Sequence, residues 1–147
     1  MELELRRATS SDIDRLAEMN KQLIEDEGSM NPMNLDELKQ RMYEWLHSSY
    51  FADLLISDQE VAGYALYTFR ANSYDKNIQE VYLRQYFIGR TFRKQGLGLK
   101  GIGLLKEQRF KDMDTIEIDV LEANTAGKSF WISAGFEPYA INMKLKI

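Results

Sequence analysis

The stretch Ile88-Gly-Arg-Thr-Phe-Arg-Lys-Gln-Gly-Leu-Gly-Leu-Lys-Gly-Ile-Gly-Leu-Leu-Lys106 decides how this chain folds. It follows a strand-like run, Val81 to Ile88, passes through a basic turn and enters a segment with helical spacing. The first N–H groups of a helix have no intrahelical acceptor, and the helix dipole places partial positive charge at the same end. An anion such as a phosphate fits there. Gly96 and Gly98 carry no Cβ to hold an oxyanion off the backbone, and Arg93 and Lys94 add full charge at the entrance.

Around this stretch the chain alternates between strand and helix signals. Gln79 to Ile88 is the strand that feeds the turn, and Gly96 to about Lys111 is the helix it leads into. Thr115 to Leu121 alternates Ile116, Ile118 and Val120 with Glu117 and Asp119, so residues 79–121 read as a βαβ unit with a right-handed crossover. Upstream, Leu3 and Leu5 mark a first strand. Thr9 is a predicted N-cap for a helix that carries Ile13, Leu16, Ala17, Leu23 and Ile24 on one face and stops near Gly28. Asn34 and Glu37 stand in capping-box spacing before an amphipathic second helix with Leu35, Leu38, Met42, Trp45 and Leu46. Phe51–Ile56 and Val61–Phe69 read as a hairpin. Downstream, Asn124 opens a short helix that Gly135 stops, and Ile141, Met143, Leu145 and Ile147 alternate in a predicted final strand.

The order β α α β β β α β α β predicts an α/β (α+β) fold. Its mixed, mostly antiparallel central sheet would hold one parallel βαβ unit and be flanked by about four helices. The 147 residues show no repeat or linker and read as a single domain, 1–147. Apolar residues make up 44% and charged residues 29%, as in an ordinary globular protein. A net charge of −4 makes the whole molecule a poor non-specific nucleic-acid binder. The absence of cysteine excludes disulfides, thiolate zinc sites and a cysteine-bound acyl intermediate, and no metal is expected. Residues 1–7 lack an apolar signal core, and no run approaches ~18 apolar residues. The expectation is a cytoplasmic protein with neither membrane nor nucleic acid as partner.

Gly96-Leu-Gly-Leu-Lys-Gly101 is literally a G-x-G-x-x-G with Asp119 about twenty residues on, the spacing of a dinucleotide fingerprint. The context argues otherwise, because that fingerprint opens the first βαβ unit of a larger sheet, and here only one short helix and strand follow. A Walker P-loop fails because no Gly-Lys-Ser or Gly-Lys-Thr follows.

Arg93-Lys94-Gln95-Gly96-Leu97-Gly98 instead has the form Arg/Gln-x-x-Gly-x-Gly. It resembles the acyl-CoA pyrophosphate loop of the GNAT superfamily of N-acetyltransferases. Asn124-Thr-Ala-Gly-Lys-Ser-Phe-Trp-Ile-Ser-Ala-Gly-Phe136 looks like the same superfamily's Asn-x-x-Ala-x-x-Phe/Leu-Tyr-x-x-x-Gly-Phe. Two departures stand out, Gly127 for the usual alanine and Trp131 for the frequent tyrosine.

The resemblance implies the acyl-CoA N-acyltransferase fold and transfer of an acetyl group from acetyl-CoA to an amine by direct attack in a ternary complex. It implies that the amides of Arg93, Lys94, Gln95, Gly96, Leu97 and Gly98 hold the pyrophosphate, and that Phe87, Ile88 and Gly89 pair with the pantetheine arm. Asn124, Lys128 and Trp131 would complete the CoA side. On the acceptor side it points to Asp26, Glu27, Met30 and Tyr82, with the acidic run Glu25–Glu27 hinting at a cationic amine, whether small molecule or peptide. Glu80, Tyr82 and Arg84 alternate onto one face unless a bulge intervenes. Glu80, holding an activating water, is the preferred base, and a surface carboxylate is its bland alternative. Trp131 cannot serve as an acid near pH 7. Tyr139 is the substitute candidate, and otherwise the thiolate leaves unassisted. His47 reads as a helix-end hydrogen bonder. The rival to the enzyme is a non-catalytic acyl-CoA sensor of the same fold, and the architecture also admits a homodimer.

Overall fold

The computed structural model describes residues 2–147. The elements run β1 (Leu3–Arg7), α1 (Ile13–Asp26), α2 (Leu35–Leu46), β2 (Tyr50–Ser57), β3 (Glu60–Ala71), β4 (Gln79–Ile88), α3 (Leu97–Gln108), β5 (Thr115–Glu117) and α4 (Thr125–Ser133). Short 3₁₀ turns at Ser10–Asp12 and Arg90–Phe92 precede α1 and follow β4. The five strands form one sheet in the order 1-2-3-4-5, antiparallel throughout except for the parallel β4–β5 pair. This is the mixed sheet with four helices that the sequence predicts.

The local signals account for most boundaries. Asn34 and Glu37 form a reciprocal capping box, each side chain accepting the other's backbone N–H at 2.9 Å. Before α1, the Thr9 N–H donates to the Asp12 carboxylate at 2.9 Å, and the chain makes one 3₁₀ turn before the α-helix begins. Gly28 (φ +67°) and Gly135 (φ +98°) take the left-handed conformation that ends α1 and α4. The His47 ring lies 2.9 Å from the Tyr43 carbonyl, at the end of α2.

Each sheet face buries its own cluster. Leu16, Leu23 and Met42 of α1 and α2 pack on Ala52, Leu54, Tyr64, Leu66 and Phe87. On the other face Ile102, Leu105 and Phe110 pack on Ala65, Tyr67, Val81 and Leu83. An ion cluster ties the end of α3 to this second layer. Asp53, fully buried, accepts from the Arg109 guanidinium (2.9 and 3.0 Å) and from the Tyr67 hydroxyl at 2.5 Å, while Arg7 lies 3.7 Å away. Burial, reinforced by this bond to Asp53, holds the Tyr67 phenol well above its ordinary pKa.

Two sequence expectations are corrected. The strand predicted over Thr115–Leu121 ends at Glu117, and the predicted final strand through Ile141–Ile147 is absent. Phe136 still packs on Trp131 (5.0 Å between rings), but beyond it the chain leaves the fold, with Tyr139, Ile141, Met143 and Leu145 each 85–89% exposed. Alternating apolar residues make a strand only when an edge accepts their backbone. Nothing in this chain pairs with the tail, and the outer edge of β5 has no neighbour.

Candidate active site

The parallel pairing of β4 with β5 covers only Glu80–Tyr82 against Thr115–Glu117. β4 runs on to Ile88, so from Leu83 onward no strand pairs with its outer edge among the described residues. The outer edge of β4 is therefore left open beside residues 118–121, which no longer pair with it. It leads to the turn after β4, where Lys94 (φ +63°) and Gly96 (φ +76°) are both left-handed and aim successive backbone N–H groups outward. No side chain caps the start of α3, which leaves its first N–H groups available to an anion.

The glycines of this helix are set by aromatic neighbours. A Cβ at Gly98 would come within 2.8 Å of the Phe130 ring, and one at Gly101 within 2.1 Å of the Tyr86 hydroxyl. That hydroxyl donates to the Gly98 carbonyl at 2.6 Å, pinning the first turn of α3 to β4. Gly101, the last glycine of the G-x-G-x-x-G, is thus a packing position. Gly127 is explained similarly, because Asn124 caps α4 through the Gly127 N–H (3.0 Å) and a Cβ there would meet the Asn124 amide at 2.3 Å. Trp131 packs among Phe130, Tyr86 and Phe136, at 4.9, 5.8 and 5.0 Å between ring centres. The Lys128 amine pairs with Glu122 at 3.1 Å.

Several side chains stand differently from their sequence-based roles. Arg93 does not reach outward. It donates to Asp26 (2.5 Å) and to the Ile88 carbonyl (2.8 Å), while Arg90 donates to Asp26 (2.7 Å) and Glu25 (3.2 Å). Burial raises the pKa of Asp26, but the bonds from Arg90 and Arg93 outweigh it and hold the carboxyl below the usual range. The acidic run is therefore largely neutralised by the loop and is no open lure for a cation. The Gly89 N–H already donates to Ala62 at 2.7 Å, so it is not free to pair with a ligand. Met30 is exposed in the turn between α1 and α2, and Tyr139 lies in the exposed tail.

The bulge weighed in the sequence exists. Leu66 pairs with Gln85 and Tyr67 with Leu83, so Arg84 is the extra residue of β4. Arg84 lies over the Trp45, Tyr50 and Tyr82 rings at 5.0, 5.9 and 5.9 Å, and Gln85 accepts from the buried Tyr64 hydroxyl at 2.8 Å. Glu80 is buried and accepts from Asn72 at 3.1 Å. Four residues before the bulge, it is about 13 Å away along the strand. The Tyr82 hydroxyl donates to Asp119 at 2.6 Å, and burial followed by this bond pushes its pKa up to about 12.

Glu27 is the acid that stands out here. It is half-buried beyond the end of α1, and burial, then the neighbouring Asp26 charge, raises its pKa. Its charge is in electrostatic range of Tyr64, whose hydroxyl bonds Gln85 beside the bulge. The sequence names Glu27 as an acceptor-side residue of an acidic run, and not as a base. Trp45, Arg41 and Arg84 it does not assign to the site at all, because their convergence is tertiary.

The comparisons with known proteins agree with this geometry. The sequence profile described as "Acetyltransferase (GNAT) family" matches residues 17–136, and the chain belongs to that family. No protein of curated function matches it in sequence. Among solved structures it is similar to a "possible acetyltransferase" from Clostridium difficile 630, with TM-score 0.82, 17% identity, and 100% and 98% of the two chains covered. It is also similar to a "predicted acetyltransferase with acetyl-CoA" from Clostridium acetobutylicum, with TM-score 0.75, 17% identity and coverage of 99% and 96%. A third is an aminoglycoside acetyltransferase from an uncultured soil metagenomic sample in complex with sisomicin, with TM-score 0.74, 12% identity and coverage of 99% and 96%. The family is that of the sequence resemblance.

Proposed function

We propose that this protein transfers an acetyl group from acetyl-CoA to a small amine by direct attack in a ternary complex. The observation that carries the reading is the unpaired edge of β4 leading into the uncapped start of α3. Backbone groups of β4 beyond Tyr82 can pair with an amide-bearing arm, and the amides from Lys94 to Gly98 can receive a pyrophosphate. Family membership and a neighbour whose title names acetyl-CoA support it. Acetyl-CoA would supply an activated thioester carbonyl and a thiolate leaving group.

The residues of this chain act on the amine. A protonated amine is no nucleophile, so a base must take its proton. Glu27, unpaired with any cation within 4 Å among the described residues and in electrostatic range of Tyr64, suits the task better than Glu80, which is remote from the bulge and bonded to Asn72. The released thiolate takes a proton from solvent, since Trp131 has no usable acid and Tyr139 is exposed in the tail. The test is thiol release from acetyl-CoA across an amine panel. Turnover with formation of an N-acetyl product is expected, whereas tight acetyl-CoA binding without turnover would favour the sensor reading.

The tail supports a homodimer built by strand exchange. β5 and the residues that continue it alternate Ile116, Ile118 and Val120 with Glu117 and Asp119 in sequence, although strand geometry ends at Glu117. The tail offers Ile141, Met143 and Leu145 alternating with Lys144 and Lys146, a strand-like pattern whose apolar residues are exposed. In this reading each copy lays its tail on the partner's β5. Light scattering is expected to give a dimer, and the double variant Met143→Asp, Leu145→Asp a monomer. A monomeric wild type overturns it.

A further inference from the structure

Six of the nine arginines in the sequence, Arg6, Arg7, Arg70, Arg90, Arg93 and Arg109, pair with carboxylates, and Arg15 is exposed on α1. The remaining two, Arg41 of α2 and Arg84 at the bulge of β4, converge on Trp45, with guanidinium carbons 4.4 and 5.0 Å from its ring. No carboxylate lies within 4 Å of either among the described residues. Arg84 has only the Tyr50 hydroxyl at 3.3 Å, and Arg41 only the Asn20 side-chain carbonyl at 3.2 Å.

Two buried donors at this spot have no acceptor. The Arg41 Nε and the Asn20 Nδ2 are both enclosed and unbonded, and Asn20 is 1% exposed. Buried donors without partners are uncommon in folded proteins and mark places where an acceptor is missing. Burial, and after it the charge of Arg84, also lowers the pKa of Arg41, so the two cations oppose each other with no carboxylate paired to either among the described residues. An anion would relieve the repulsion and satisfy the donors together. Guanidinium forks match the planar geometry of a carboxylate.

We propose that the acceptor is a carboxylate-bearing amine, an amino acid or a small derivative of one, whose carboxylate is held by Arg41 and Arg84 over Trp45. The inference rests on the acetyl-transfer reading above, since it names the acceptor of that reaction. The placement suits it, because Tyr64 is in electrostatic range of both Arg41 and Glu27. In this reading the carboxylate of a zwitterion lies at the arginines and its ammonium on the Glu27 side. The base first takes one proton from the ammonium; the neutral nitrogen then joins the acetyl carbon as the carbon–sulfur bond breaks, its second proton passes to solvent, and the thiolate takes a proton from solvent. This acceptor reverses the sign suggested by the acidic run.

The experiment measures acetyl-CoA turnover with common amino acids, each paired with its carboxamide. The amino acid is expected to show a kcat/KM about 10- to 100-fold above its amide. Arg41→Gln and Arg84→Gln should raise the KM for the amino acid by a similar factor, leave kcat near wild type and erase the preference over the amide. Arg84 is exposed, so its variant tests the site without disturbing the fold. Equal or better turnover of the amides overturns the inference while leaving the acetyl-transfer reading standing. If no amine is turned over, titration of N-acetyl amino acids followed by NMR still decides. Shifts at Trp45 in the wild type that vanish in Arg84→Gln keep the anion site and sink the enzyme, and no shifts in the wild type sink the anion site itself.

Discussion

Replacing Glu27 by glutamine is expected to lower kcat for acetyl transfer about 100- to 10,000-fold, the usual range for a lost general base. Glutamine keeps the shape and cannot take the proton. The raised pKa fixes the sign of a second readout. In the wild type, activity should climb as Glu27 loses its proton, with the acid limb lying above the ordinary carboxylate value of about 4.3. That limb should disappear in Glu27→Gln. Stability should move the other way. A carboxyl whose folded pKa is raised contributes stability that is fully present below its unfolded value and is lost as pH rises through the folded one. Near neutral pH the ionised Glu27 weighs against the fold, so the variant should melt no lower than wild type. An unchanged acid limb in the variant would remove Glu27 from the mechanism.

Asp53→Ala should be the most damaging substitution in the core, at about 3–5 kcal/mol, because it strands buried donors without their acceptor. Asp53 is fully buried and receives the Arg109 fork and the Tyr67 hydroxyl. Without it, Tyr67 keeps a hydroxyl inside the core, and Arg109 pulls the end of α3 toward solvent. For a chain of this size the loss corresponds to a fall in melting temperature on the order of 10 °C. Thermal unfolding of Asp53→Ala beside Asp53→Asn checks it. The asparagine still accepts a hydrogen bond, so it should fall between alanine and wild type. A drop within a degree or two of wild type for the alanine variant would show that the cluster is not what anchors α3.

Features carried by neighbouring residues were readable from the sequence. The Asn34–Glu37 capping box, the Asn124 cap, the left-handed Gly28 and Gly135, and the loop from Arg93 to Gly98 each depend on a few adjacent positions. What was not readable depends on packing. The bulge at Arg84 leaves no mark in composition, yet it is what sends Arg84 and Gln85 toward the helices. Arg93 and Asp26 lie 67 residues apart, so nothing local could say that the loop's arginine is clasped by the end of α1. The tail has strand periodicity, but periodicity does not supply the edge a strand needs.

The glycines of the opening stretch have a consequence for how such chains diverge. Gly96 has open space where a side chain would go and is held only by its backbone angle, Gly98 by the Phe130 ring, and Gly101 by the Tyr86 hydroxyl. A pattern search counts them as one signal, but each answers to a different neighbour. A relative that carries phenylalanine in place of Tyr86 loses the closest of the contacts that demand glycine at the third position while keeping the first two. The motif can therefore erode from its C-terminal end, in step with one aromatic residue on the adjoining strand, at the cost of the bond that ties the first turn of α3 to that strand.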